Sequence, residues 1–154
     1  MHDDDLRPVL DRLLATRRAK VEETQGGTPR GLRVLFTCHS GRNKLLAAQL
    51  FARELAVDLF QIDLDRIVSK HVADTEKNLD ALFEAAEASD AVLLLDDTQQ
   101  LFDESGRFPS LDVAHLRQRI DSYDGVVLLG ADDPKHIDPK LARQCDEVVE
   151  LADD

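Results

Sequence analysis

Apolar residues in this chain fall into short dense runs, separated by stretches whose apolar positions recur at helical spacing. Leu32 to Thr37, Leu59 to Ile62, Ala91 to Leu95, Val126 to Leu129 and Val148 to Leu151 have the length and density of strands. Between them, Lys44 to Leu55, Glu76 to Ala88, Leu111 to Tyr123 and Pro139 to Arg143 follow the helical period, the last opened by the start signal Asp138-Pro139. Val92-Leu93-Leu94-Leu95 is apolar at every position, which suits a strand covered on both faces. Strands alternating with helices then predict an α/β fold: a three-layer domain with a five-stranded parallel sheet flanked by helices.

An N-terminal amphipathic helix precedes this alternation. Asp3 to Asp5 supply an acidic start, and Leu6, Val9, Leu10, Leu13, Leu14 and Val21 follow at roughly helical intervals. Gln25 to Gly31 contains three glycines and Pro29 and reads as a linker. The expected organisation is a helical arm and linker over residues 1–29 and an α/β core over 30–154. Apolar periodicity alone does not say whether the arm packs on its own core or on a second chain.

Composition narrows the partners. The 154 residues are 43% apolar, enough for one domain with a sizeable core. With 19 Lys and Arg against 31 Asp and Glu, the formal charge of −12 opposes binding to nucleic acid or an anionic membrane. Cys38 and Cys145 lack metal-ligand spacing, and no apolar run is long enough to span a bilayer. With no secretory leader in view, a soluble, reduced, cytoplasmic protein is expected.

The chemistry concentrates in VLFTCHSGRNKLLAA, Val34 to Ala48, where a buried strand runs through a Gly- and Ser-bearing turn into a helix. That is the layout of a phosphate-binding P-loop. The pattern Gly-x-x-x-x-Gly-Lys-Ser/Thr would place its glycines at Cys38 and Asn43 and its hydroxyl at Leu45, so only Lys44 matches. Ligands of such sheets sit at the carboxyl ends of strands, here near Thr37 to Lys44, Asp96 and Asp97, and Ala131 to Asp133. Cys38 followed by Ser40, Gly41 and Arg42 also invites comparison with a cysteine-dependent phosphatase or arsenate reductase. The three residues between Cys38 and Arg42, where those enzymes have five, leave too short a loop to encircle an oxyanion.

Several blocks, in order, resemble the core of an AAA+ ATPase, in its AAA branch. They are RGLRVLFTCHSGRNKLLAA, DLDRIVSKHVADTEKNLDALFEAAEASDAVLLLDD, SLDVAHLRQRIDSYDGVVLLG and HIDPKLARQCDEVVEL, which together cover most of residues 30 to 151. The most specific is VSKHVADTEKNL leading, after one helix, into VLLLDD. The resemblance implies a P-loop sheet, normally followed by a helical lid and normally assembled into a ring; if 154 residues is the natural length, a core without its lid is expected. It also implies ATP and Mg2+ as cofactors, with Ser40, Gly41, Arg42, Asn43, Lys44 and Leu45 at the nucleotide and Asp96 at the metal. By the same resemblance Asp97 stands where a glutamate activates water, Asp132 where an asparagine helps to place it, and Arg143 where an arginine reaches a neighbouring subunit's nucleotide.

The departures are chemical. Asn43 and Cys38 place side chains where glycine would let phosphate approach the backbone. Leu45 has no oxygen for magnesium. Asp97 is one methylene short, and a displacement of about 1 Å in a positioning group can cost on the order of a hundredfold in rate. Gln144 replaces the second arginine finger, His71 the pore-loop aromatic and Ala73 the glycine after it. The Asp103 to Ser110 connection is shorter than its family counterpart. The sequence therefore predicts a degenerate ATPase-like domain with ATP hydrolysis lost and nucleotide binding weak or absent, acting through a protein partner or self-assembly. An ATPase with a non-standard site, completed by a partner, is the alternative.

Overall fold

A computed structural model describes residues 3–23, 31–101 and 108–152. The Gln25 to Gly31 linker, apart from Gly31, and most of the Asp103 to Ser110 connection lie outside these residues. Five strands, β1 (Arg33–Thr37), β2 (Leu59–Gln61), β3 (Val92–Leu95), β4 (Val127–Ala131) and β5 (Glu147–Glu150), form one parallel sheet in the order β2-β3-β4-β1-β5. The helices are α1 (Arg7–Glu23), α2 (Gly41–Leu55), α3 (Leu64–Ile67), α4 (Val72–Ser89), α5 (Val113–Ser122) and α6 (Pro139–Gln144). The five-stranded α/β fold expected from the apolar runs is the one observed.

Alternation along the strands divides the interior into two cores. Val34 and Phe36 of β1, with Val92, Leu94 and Leu128, face one helical layer, while Leu35, Leu93, Leu95, Val127 and Leu129 face the other. Successive strand side chains point to opposite faces, so a strand clothed on both sides must be apolar throughout. Leu6, Leu10 and Leu13 pack with Ala47, Leu50 and Phe51 in the first core. Thus α1 packs on its own domain. Exposed ion pairs from Arg7 to Glu54 and Arg12 to Glu147, and a half-buried one from Lys20 to Asp146 at 2.9 Å, run along its edges. The second core takes Leu79 and Phe83 from α4, Leu116 and Ile120 from α5, and Leu141 from α6.

Several boundaries differ from the sequence expectation for local reasons. Helix α2 begins at Gly41, ahead of Lys44, because the Ser40 hydroxyl accepts from the Asn43 amide at 3.2 Å and caps it. Helix α5 starts after Asp112, whose carboxylate accepts from the amides of Ala114 and His115. Strand β4 runs on through Gly130 and Ala131, which the apolar-run criterion stopped short of. The short helix α3, capped by Asp63, carries too few residues to register as a period.

Arg33 ties the second core to the sheet. Its guanidinium is buried and donates to the backbone carbonyls of Gly31, Ile120, Asp121 and Tyr123, satisfying the open C-terminal end of α5. Tyr123 donates its hydroxyl to the Ala91 carbonyl and meets Phe83 edge-on at 5.9 Å, and burial pushes its phenol up to about 12. Replacing Arg33 by Met would leave buried carbonyls without donors and should cost about 2–4 kcal/mol, measured by urea unfolding. Ala56 ends α2 with φ 57°, a left-handed conformation that costs a side chain about 1 kcal/mol, and it is exposed. Ala56→Gly should therefore raise stability by up to about 1 kcal/mol in the same assay, whereas a loss would show the cap to be misassigned.

Candidate functional site

The carboxyl ends of β1, β3 and β4 bring together Lys44, Asp96 and Gly130. Lys44, in the first turns of α2, is 2% exposed, and its Nζ lies 2.8 Å from Oδ1 of Asp96, at the end of β3. The same Nζ is 3.4 Å from the carbonyl oxygen of Ala131. An ammonium withdrawn from water needs such partners, because its desolvation otherwise costs several kcal/mol. Gly130 supplies the room: a Cβ there would stand 2.2 Å from Asp96 Oδ1 and 3.1 Å from Lys44 Cδ. The pair can form only because the adjacent strand lacks a side chain at that position.

The residues around this pair are engaged with one another. Asp97 is exposed and left-handed at φ 57°, a conformation that aspartate tolerates better than most residues, and it starts a 3-10 turn, Thr98–Gln100. Its backbone amide donates to Asp96 Oδ1 at 2.8 Å. Buried Thr98 donates its hydroxyl to the Gly130 carbonyl at 2.9 Å, tying the end of β3 to β4. Gln99 accepts from the Asp132 amide at 3.3 Å and reaches Asp97 Oδ1 at 3.4 Å. Asp132 sits 3.0 Å from His136 Nδ1. Burial alone would raise its pKa, but the hydrogen bond and charge of His136, with backbone amides, hold it below the usual value. His39 approaches Asp133 at 3.4 Å.

The remaining expected residues separate into those on the loop and one elsewhere. Ser40 serves as the helix cap, Gly41 and Arg42 are exposed, and Leu45 packs its side chain against the first core. Asn43 is buried and donates to the Ala152 carbonyl at 2.8 Å, and the buried Cys38 thiol reaches the same carbonyl at 3.3 Å. Arg143 is exposed on α6, and Gln144 beside it bonds Arg117. His71 and Ala73 are exposed at the start of α4.

Magnesium is poorly provided for. A hard cation needs several oxygens, and Leu45 offers none while Asp96 is paired with Lys44. Among the described residues no three His, Cys, Asp or Glu side chains form a cluster that could hold a metal ion by themselves. Asp96 and Asp97 also border a cavity of about 260 Å3 floored by Ile62, Leu64, Leu95 and Leu101. Sequence reasoning missed Gly130, Thr98 and Ala152. A glycine inside an otherwise apolar strand is a signal of close approach that could have exposed Gly130. Ala152 acts through its backbone and leaves no trace in residue type.

Comparison with known proteins agrees with this framework. The family model for the AAA domain, the ATPase family associated with various cellular activities, matches residues 34–153. An uncharacterised AAA family ATPase, y4kL, of Sinorhizobium fredii (strain NBRC 101917 / NGR234) is 31% identical over 152 residues, covering 94% of this chain and 46% of the relative. The chain thus spans about half the length of that curated relative. Among solved structures, the FIGL-1 AAA domain in complex with ADP superimposes with a TM-score of 0.69 at 20% identity, over 98% of this chain and 53% of that one. No helix among the described residues is long and apolar enough to cross a membrane. The strand–P-loop–helix at Val34 to Leu55, the β3 strand ending in Asp96-Asp97 and the match over residues 34–153 have one reading: this chain belongs to the AAA family of ATPases.

Proposed function

We propose that this AAA domain is degenerate: it retains the family's fold for protein assembly or regulation and does not hydrolyse ATP. The observation that carries the reading is that the replaced loop positions are engaged within the protein, with Asn43 and Cys38 on the Ala152 carbonyl and Leu45 packed against the first core, beside a Lys44–Asp96 pair at 2.8 Å. In a working P-loop the lysine meets the β and γ phosphates, a hydroxyl and a strand-end aspartate serve the metal, and glycines admit the phosphate to the backbone. Here lysine and aspartate neutralise each other, the hydroxyl position is Leu45, and the glycine positions are Cys38 and Asn43. A nucleotide would have to break the pair and bring its charge beside Asp96, Asp97 and Asp132 without the usual compensation.

Asp97 adds to the argument. A general base must reach the attacking water with its carboxylate, and its shortened side chain sits on an exposed left-handed residue with Gln99 beside it. Self-assembly or a protein partner is the role left to such a domain, through the surfaces that the fold presents. An acidic chain of net charge −12 suits a basic protein surface and opposes nucleic acid.

Steady-state turnover tests the reading. The purified protein with ATP and Mg2+ should release no phosphate above the level of a Lys44→Met control, and turnover that Lys44→Met abolishes would contradict it. Joint restoration of the glycine and hydroxyl by Asn43→Gly with Leu45→Thr should raise affinity for ATP at least about tenfold, read by fluorescent-nucleotide binding, if those replacements are what disable the loop. A double-mutant cycle of Lys44→Met and Asp96→Asn, followed by chemical unfolding, should return a coupling of about 1–3 kcal/mol. A coupling near zero would mean that the lysine is available to another partner.

A further inference from the structure

The side chains in the two glycine positions of the loop converge on one acceptor. Asn43 Nδ2 donates to the Ala152 carbonyl at 2.8 Å, and Cys38 Sγ approaches the same oxygen at 3.3 Å. Both residues are buried, at 5% and 3% exposure. One residue earlier the Leu151 amide donates to the Thr37 carbonyl at 2.9 Å, continuing the β1–β5 ladder to the mouth of the loop. Ladder and side-chain contacts therefore meet where the backbone leaves β5. Glycine at either position would carry no donor, and a carbonyl oxygen has lone pairs for two.

We propose that Asn43 and Cys38 form a clasp that fastens the backbone leaving β5 to the first turn of α2, so that protein contacts fix the shape of the loop where a phosphate would otherwise do so. The clasp deepens the reading of a disabled P-loop, and its consequence for nucleotide rests on that reading. Asn43 lies in the turn capped by Ser40, and its backbone amide bonds the Ser40 hydroxyl while its side chain reaches across to Ala152. One residue thus holds the loop and the end of β5 together. Opening the loop to admit an anion would break both contacts to the carbonyl of the exposed Ala152, and the buried Asn43 amide and Cys38 thiol would lose that acceptor, which physical chemistry disfavours. The clasp is an autoinhibitory contact built from the replacements themselves.

Native-state hydrogen exchange of the Leu151 amide, followed by NMR, reads the clasp directly. Asn43→Ala should accelerate that exchange by about two- to tenfold, the equivalent of one hydrogen bond's net stabilisation, with the amides of Leu93 and Leu128 in the sheet centre unchanged. Asn43→Asp keeps the shape and should accelerate it at least as much, because an ionised carboxylate cannot donate to a carbonyl. Cys38→Ala, which keeps a small apolar side chain, supplies a variant that folds if the Asn43 substitutions do not, and should accelerate exchange by a smaller factor in the same direction. Leu151 exchange at the wild-type rate in the folded variants would overturn the clasp. Nucleotide binding by the wild type, with Leu151 exchange still accelerated in the variants, would retain the clasp and overturn the disabled-site reading. Absent binding with unaltered Leu151 exchange would do the reverse.

Discussion

The site depends on where a buried ammonium finds its counter-charge. Lys44 is carried into the interior by α2, and an ammonium at 2% exposure needs a counter-charge and acceptors to offset its lost hydration. Asp96, delivered by the end of β3, answers it at 2.8 Å, and the Ala131 carbonyl accepts from the other side. That arrangement fixes what may stand next to it. Gly130 must be a glycine for Asp96 to lie where it does, and Thr98 must turn its hydroxyl to the Gly130 carbonyl. Elements distant in sequence are thereby constrained by one charge.

The same pair connects fold to function. The lysine and the strand-end aspartate come close because they sit at the carboxyl ends of β1 and β3, on either side of β4, where Gly130 leaves room between them. In an active site the space between them is shared with phosphate and metal; in this chain the groups that would invite either are replaced by Cys38, Asn43 and Leu45. The replacements are put to structural use. Leu45 packs into the first core, and Asn43 and Cys38 bond the backbone after β5. The residues in these positions make packing contacts and hydrogen bonds of their own.

Much of the architecture was legible from periodicity, since continuous apolar runs mark strands buried on both faces and Leu-rich helical stripes mark their covers. The candidate site was legible in part. Lys44 and Asp96 follow from the strand-loop-helix layout and from the carboxyl-end rule, whereas the start of α2 at Gly41 depended on a capping bond from Ser40 that spacing does not reveal. Gly130 hid inside an apolar strand because its role is an absent side chain. Ala152 contributes only a carbonyl, and the run Leu32 to Thr37 gives no sign that the guanidinium of Arg33 within it closes α5. Contacts made by backbone atoms or by missing atoms leave the weakest imprint on residue type.

The central claim is that Lys44 is satisfied by Asp96 and serves no nucleotide. Isothermal titration calorimetry with ATP and Mg2+ at high protein concentration, with Lys44→Met as control, tests it most directly. The account predicts no saturable heat from the folded wild type beyond that of the control. A saturable heat that Lys44→Met abolishes would contradict it, and would mean that the lysine exchanges its carboxylate partner for phosphate.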